Sequence, residues 1–221
     1  MLFRSLVAQL VRIPDELSDE QVLFLTDILA TGYEVGVLRG AVAPGDTVVI
    51  VGAGPVGLST TLTARLLSPA AIVVVDLVES RRRKALELGA THAVSPEEAH
   101  EVVNGLTDGL GADVTIEAAG FPKPFELAAA LVRPGGHIAN IGVHEEPAAL
   151  HLETLWAKQI TLTTGIPSGL TIPQLMKAIA AGTLDPTALI SHRFDLGDMV
   201  TGYETFRNAA ETDALKVVLS A

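Results

Sequence analysis

Apolar residues in this chain gather in short unbroken runs, set apart by segments of helical period. TVVIV at 47–51 and AIVVV at 71–75 are rich in β-branched residues and lack period-two alternation, which predicts strands buried on both faces. Further strands are predicted at 92–94, 113–117, 137–141 and 159–164, with PGD at 44–46 and PGG at 134–136 as turn signals. Helices are predicted over 55–67, 79–88, 96–106, 124–131 and 171–181, with Gly89 and Gly182 as C-terminal stops. The last segment has strand-like pieces at 192–195 and 215–219 around a helix from 196 to 208. Strand and helix alternate with short turns from Thr47 to Thr164. The expected fold class is therefore α/β, a doubly wound six-stranded parallel sheet with a pre-segment and a tail.

One stretch breaks this patterning. In LFLTDILATGYE, residues 23–34, Asp27 interrupts an apolar run whose helical spacing would face a core. A carboxylate on such a face is costly unless paired, hydrogen-bonded or metal-bound. A carboxylate bonded to backbone N–H groups at a helix start is one reading.

Composition then narrows the chemistry. Hydrophobic residues make up 48% of the 221, and mean hydropathy is +0.41, as in an aliphatic globular protein. A net charge of −11 with only 4% aromatics argues against a nucleic-acid partner. The absence of cysteine excludes disulfides, thiolate metal ligands and a cysteine nucleophile in this chain. Residues 1–12 carry an early Arg4, an interrupting Arg12 and no small-residue cleavage site, so no signal peptide is expected. No apolar run reaches the roughly 18 residues of a membrane span, so a cytoplasmic protein without a membrane partner is expected.

Directly after the first predicted strand comes VGAGPVGL, with Gly52, Gly54 and Gly57 in G-x-G-x-x-G spacing. The first glycine permits a tight turn, the second lets backbone approach a pyrophosphate, and the third lets helix pack on strand. Pro55 and Val56 open the following helix, whose N-terminus offers N–H groups and a positive dipole end to phosphates. Asp76 ends the second strand 19 residues after Gly57, where a carboxylate would accept the hydroxyls of an adenosine ribose. The motif in its strand–helix context, with that acid, points to NAD as cofactor. A 2′-phosphate would meet like charge at Asp76, although Arg81, Arg82 and Arg83 follow closely. The pattern HEEPAALHLE at 144–153 matches no zinc spacing and reads as surface polar residues.

With these parts in place, the chain resembles the cofactor half of the medium-chain, zinc-dependent alcohol dehydrogenase family, a Rossmann fold. The resemblance runs from about Ile13 to the C-terminus, through IPDELSDEQ, TDILATGYE, PGDTVVIVGAGPVGL, ELGATHAV, ADVTIEAAG, LVRPGGHIANIGV and ALKVVL. It implies a domain division into residues 1–22, 23–168 (dinucleotide-binding) and a tail, 169–221. It also places Asp27 at the position of a catalytic zinc ligand, and Thr31 where a side chain packs against the nicotinamide. Arg81 would be a basic residue reaching the adenosine ribose. Backbone after Ala118 and around Gly142 and Val143 would line the cofactor cleft.

In that family a GroES-like β-barrel precedes this region and carries the remaining zinc ligands and the proton relay. Those residues have no counterpart here. The resemblance thus implies the NAD(H)-binding portion of an alcohol dehydrogenase-like oxidoreductase, truncated, with zinc expected in the family but not on this chain. Substrates would be alcohols or aldehydes, no catalytic residue is assigned, and a homodimer through the 159–164 edge strand is implied. A non-catalytic NAD-binding module and a zinc-free quinone reductase-like enzyme are the alternatives. A methyltransferase-like sheet is disfavoured by the dinucleotide spacing of VGAGPVGL.

Overall fold

The computed structural model describes residues 11–221, so most of the pre-segment considered for a signal peptide lies outside the described residues. Six strands form one parallel sheet: β1 (Thr47–Val51), β2 (Ala71–Val75), β3 (His92–Val94), β4 (Ala112–Glu117), β5 (Val132–Asn140) and β6 (Thr161–Thr164). Their order is β3-β2-β1-β4-β5-β6, so the chain winds outward from β1 in one direction and then from β4 in the other. The predicted doubly wound sheet is present.

Residues of β1 and β2 alternate between two cores. Val48, Ile50, Ile72 and Val74 join a large cluster on one face, while Val49, Val51, Val73 and Val75 pack with Ala99, Val103, Ala128 and Leu131 on the other. Both faces are covered, which explains why these strands show no polar alternation. On the large-cluster side lie α1 (Asp19–Leu23), a π-helical segment (Thr31–Leu38) and α2 (Pro55–Ala64). Helix α2 is buried even at Ser59, Thr60, Thr61 and Thr63, because each hydroxyl donates to the carbonyl four residues earlier. Helices α3 (Glu79–Glu87), α4 (Ala99–Leu106) and α5 (Pro122–Leu131) complete the crossovers.

Several boundaries differ from expectation for local reasons. Helix α4 starts at Ala99 rather than 96, since Glu98 folds back to accept from the Ser95 N–H and closes a turn first. Helix α5 starts at Pro122, which fits a first turn because that position needs no N–H. Strand β5 reaches back to Val132 across a register irregularity, and β6 begins only at Thr161 because Gln159 adopts a left-handed backbone. Strand β6 is the exposed edge of the sheet.

After a short helix α6 (Leu152–Leu155), the tail contains α7 (Ile172–Ala180), strands β7 (Ile190–Asp195) and β8 (Lys216–Ser220), and α8 (Met199–Arg207) between them. The two strands pair in parallel as a separate small sheet. Leu175, Met176 and Ile179 of α7 enter the same cluster as Val48 and Ile50, so the tail is tied to the main core. The tie has a polar part too. Buried Glu34 accepts from the hydroxyls of Ser168 and Thr171 at 2.8 Å each, and from the Gly169 and Thr171 N–H groups at 3.2 and 3.0 Å. Burial pushes the Glu34 carboxyl up, but the hydrogen bonds from Thr171 and Ser168 outweigh it and hold the group below its ordinary value. Among the described residues no single helix is long and apolar enough to cross a membrane.

Candidate functional site

The sheet reverses its winding between β1 and β4, and open α/β sheets take ligands in the crevice outside the strand ends at such a point. The glycine loop lies there. Gly52 has φ +107°, a left-handed value that a side chain would strain, and a Cβ on it would come within 2.9 Å of the Ala119 nitrogen. A Cβ on Gly57 would collide with the carbonyl oxygen of Gly52. A Cβ on Gly54, by contrast, would meet nothing within 4 Å, leaving the loop's outer side open. Gly54 caps α2 without a side-chain hydrogen bond and Pro55 opens the helix, so the N–H groups of its first turn face an available anion position.

Asp76 follows β2 on one side of this loop. Its Oδ2 accepts from the Ala53 N–H at 2.7 Å and its Oδ1 from the Val78 N–H at 2.8 Å. The carboxylate is half-buried, and each oxygen keeps a further lone pair free to accept a hydrogen bond. The basic triplet divides its work. Arg82 reaches back to the carbonyls of Asp76 and Leu77 at 2.8 and 2.9 Å, whereas Arg81 lines a cleft of about 280 Å³ between α3 and the tail, with Ser80, Lys84, Ser191 and Asp213. Arg83 pairs with Glu79 along the helix.

On the other side of the loop stand the ends of β4 and β5. Glu117, the last residue of β4, is fully buried. Its Oε1 accepts from the N–H groups of Ala119 and Gly120, both at 2.7 Å. Its main-chain carbonyl accepts from Ile141 and Gly142 at 2.9 and 3.1 Å. His144 Nε2 lies 3.2 Å from Glu117 Oε2 and 2.9 Å from Asn140 Oδ1, and its ring stands edge-on to Phe125. His144 lies in the irregular segment after β5, but it is no surface side chain, being only 18% exposed. Sequence reading missed this pair because 27 residues separate its members. The one available signal was a second acidic residue, after Asp113, at the end of a mostly buried strand. Ala118 and Gly142 are half-buried and Val143 is exposed at this rim.

A family model for zinc-binding dehydrogenases matches residues 55–181. An alcohol dehydrogenase from Cupriavidus necator is 33% identical over 218 residues, covering 96% of this chain and 59% of that protein. The chain belongs to the zinc-binding dehydrogenase family. The solved apo form of zinc-dependent alcohol dehydrogenase 2 from Streptococcus pneumonia superposes with a TM-score of 0.90 at 43% identity, over 95% of this chain and 61% of that one. Alcohol dehydrogenase TADH from Thermus sp. ATN1 gives 0.88 at 33% identity, over 96% and 61%. The chain spans about three fifths of the length of these relatives.

The family name raises the question of zinc, which in a catalytic site takes about three protein ligands and an open position. Asp27 sits at a break in the helical run, with φ −150° and ψ −84°, and is exposed. Its Oδ1 accepts from the Thr31 hydroxyl at 3.2 Å, and its carbonyl accepts from the Thr31 N–H at 2.8 Å. Among the described residues no group of three His, Cys, Asp or Glu side chains converges as a metal site. Asp27 offers one ligand, so these residues by themselves do not fit a complete catalytic zinc.

Proposed function

We propose that this chain binds NAD(H) as the cofactor-binding portion of an alcohol dehydrogenase-like oxidoreductase, with alcohols or aldehydes as the substrate class. The observation that carries the reading is the glycine loop at the switch point with the Asp76 carboxylate anchored to it through Ala53. Gly52, Gly54, Pro55, Val56 and Gly57 would hold the pyrophosphate, and Asp76 the adenosine ribose, which favours NAD over NADP. The cofactor then runs across β1 and β4 toward Ala118, Gly142 and Val143. Bound NAD would supply the hydride acceptor. The protein's own part is to fix the phosphates, orient the ribose and exclude water between the two loops.

Because Asp27 alone does not make a zinc site, a binding module without turnover of its own is the second reading. NADH titration followed by fluorescence, together with an alcohol-plus-NAD assay, separates the two. Both expect saturable NADH binding that Asp76→Ala weakens about tenfold or more. Equal NADH affinity in parent and variant would sink both. Turnover by the chain itself would reject the second.

A further inference from the structure

Glu117 and His144 join the rim of the crevice at its far end from Asp76, and we propose that they form a positioning clasp for the nicotinamide end of the dinucleotide. The inference rests on the NAD(H) reading above. Asp76 follows β2, the glycine loop follows β1, and the clasp follows β4 and β5, so a molecule laid from Asp76 across the loop ends at the clasp.

The two loops at that end touch through backbone. A Cβ on Gly142 would collide with Gly120 and Glu117, and a Cβ on Gly120 with the Val143 carbonyl. No side chain separates the loops, so hydrogen bonds set their spacing. Glu117 supplies two of them, because Ile141 and Gly142 donate to its main-chain oxygen, and it also fixes its own loop, where Ala119 and Gly120 donate to its Oε1.

His144 closes the remaining corner. Asn140 donates through Nδ2 to the Gly142 carbonyl at 3.0 Å, which leaves its Oδ1 as an acceptor. Both neighbours of His144 Nε2 are then acceptors, Glu117 Oε2 and Asn140 Oδ1, so that nitrogen carries the hydrogen and shares it between them. The imidazole therefore ties the exposed stretch after Gly142 to a carboxylate fixed in the core. Without it, Val143 and its neighbours lose their side-chain link to β4, while the glycine loop and Asp76 are untouched.

The test compares two ligands on the parent chain, His144→Ala and His144→Gln. NADH spans the whole crevice, whereas ADP reaches only Asp76 and the glycine loop. His144→Ala is expected to weaken NADH about tenfold and leave ADP within about twofold. His144→Gln, whose amide can donate from nearly the same place, is expected to restore most of the NADH affinity. Loss of both ligands to the same extent in His144→Ala, or no loss of NADH, would overturn the clasp while leaving the dinucleotide reading intact. A parent chain that binds neither ligand would overturn both. A glutamine variant no better than alanine would overturn the donor role assigned to Nε2.

Discussion

Asp76 and Glu117 stand on opposite sides of the glycine loop, and both use a carboxylate at a strand end to hold backbone N–H groups. They differ in what they leave over. Asp76 is half-buried and spends one bond on each oxygen, so it keeps acceptor capacity toward the crevice. Glu117 is fully buried, with two N–H donors on one oxygen and His144 on the other. The same device thus leaves free acceptors where it meets solvent, as the proposed ribose contact needs, and is used up on the protein's own donors where it does not.

Burial should therefore order the carboxylates by their effect on stability, and mutations can break that ordering. The largest effect is expected for Glu117→Ala, which removes the acceptor of the buried Gly120 N–H and the half-buried Ala119 N–H and should cost about 3 kcal/mol in urea unfolding. A loss under about 1 kcal/mol would remove Glu117 from its architectural role.

Glu34→Ala should come next, at about 2 kcal/mol, because it strands the Thr171 N–H and the Ser168 and Thr171 hydroxyls. This one carries a pH signature. The folded-state value is lowered from the ordinary 4.5, so the contribution is fully present above 4.5 and fades as pH falls through the lowered value. The stability gap between parent and variant should accordingly be constant near neutrality and shrink in acid. A gap that widened on acidification would contradict the sign.

Asp27→Ala should change stability least, by under about 0.5 kcal/mol, since the side chain is exposed and its carboxylate meets one hydroxyl at 3.2 Å. A thermal melt of all three variants would show whether the order holds.

These carboxylates also show what a sequence discloses. Asp76 is legible because its meaning comes from fixed spacing: strand, glycines, helix, strand, acid. The sheet is legible for a similar reason, as β1 and β2 run over the residues their apolar runs predict. Glu34, and the contact of Glu117 with His144, are not legible, because those partners are set by tertiary folding. The donors to Glu34 lie more than 130 residues away, and no local period announces them. Asp27 sits between the two cases. Its apolar neighbours suggested a continuous helix facing a core, yet the backbone breaks at Asp27 itself and turns the carboxylate outward.

The π-helical segment carries a mechanical consequence. A Cβ on Gly32 would lie 2.8 Å from the Thr60 nitrogen, and one on Gly36 would lie 3.1 Å from the Thr60 methyl. Backbone therefore rests almost directly on α2, with no flexible side chain between them to absorb a shift. A displacement of α2 would therefore be passed to the segment that begins at Thr31, one turn from Asp27.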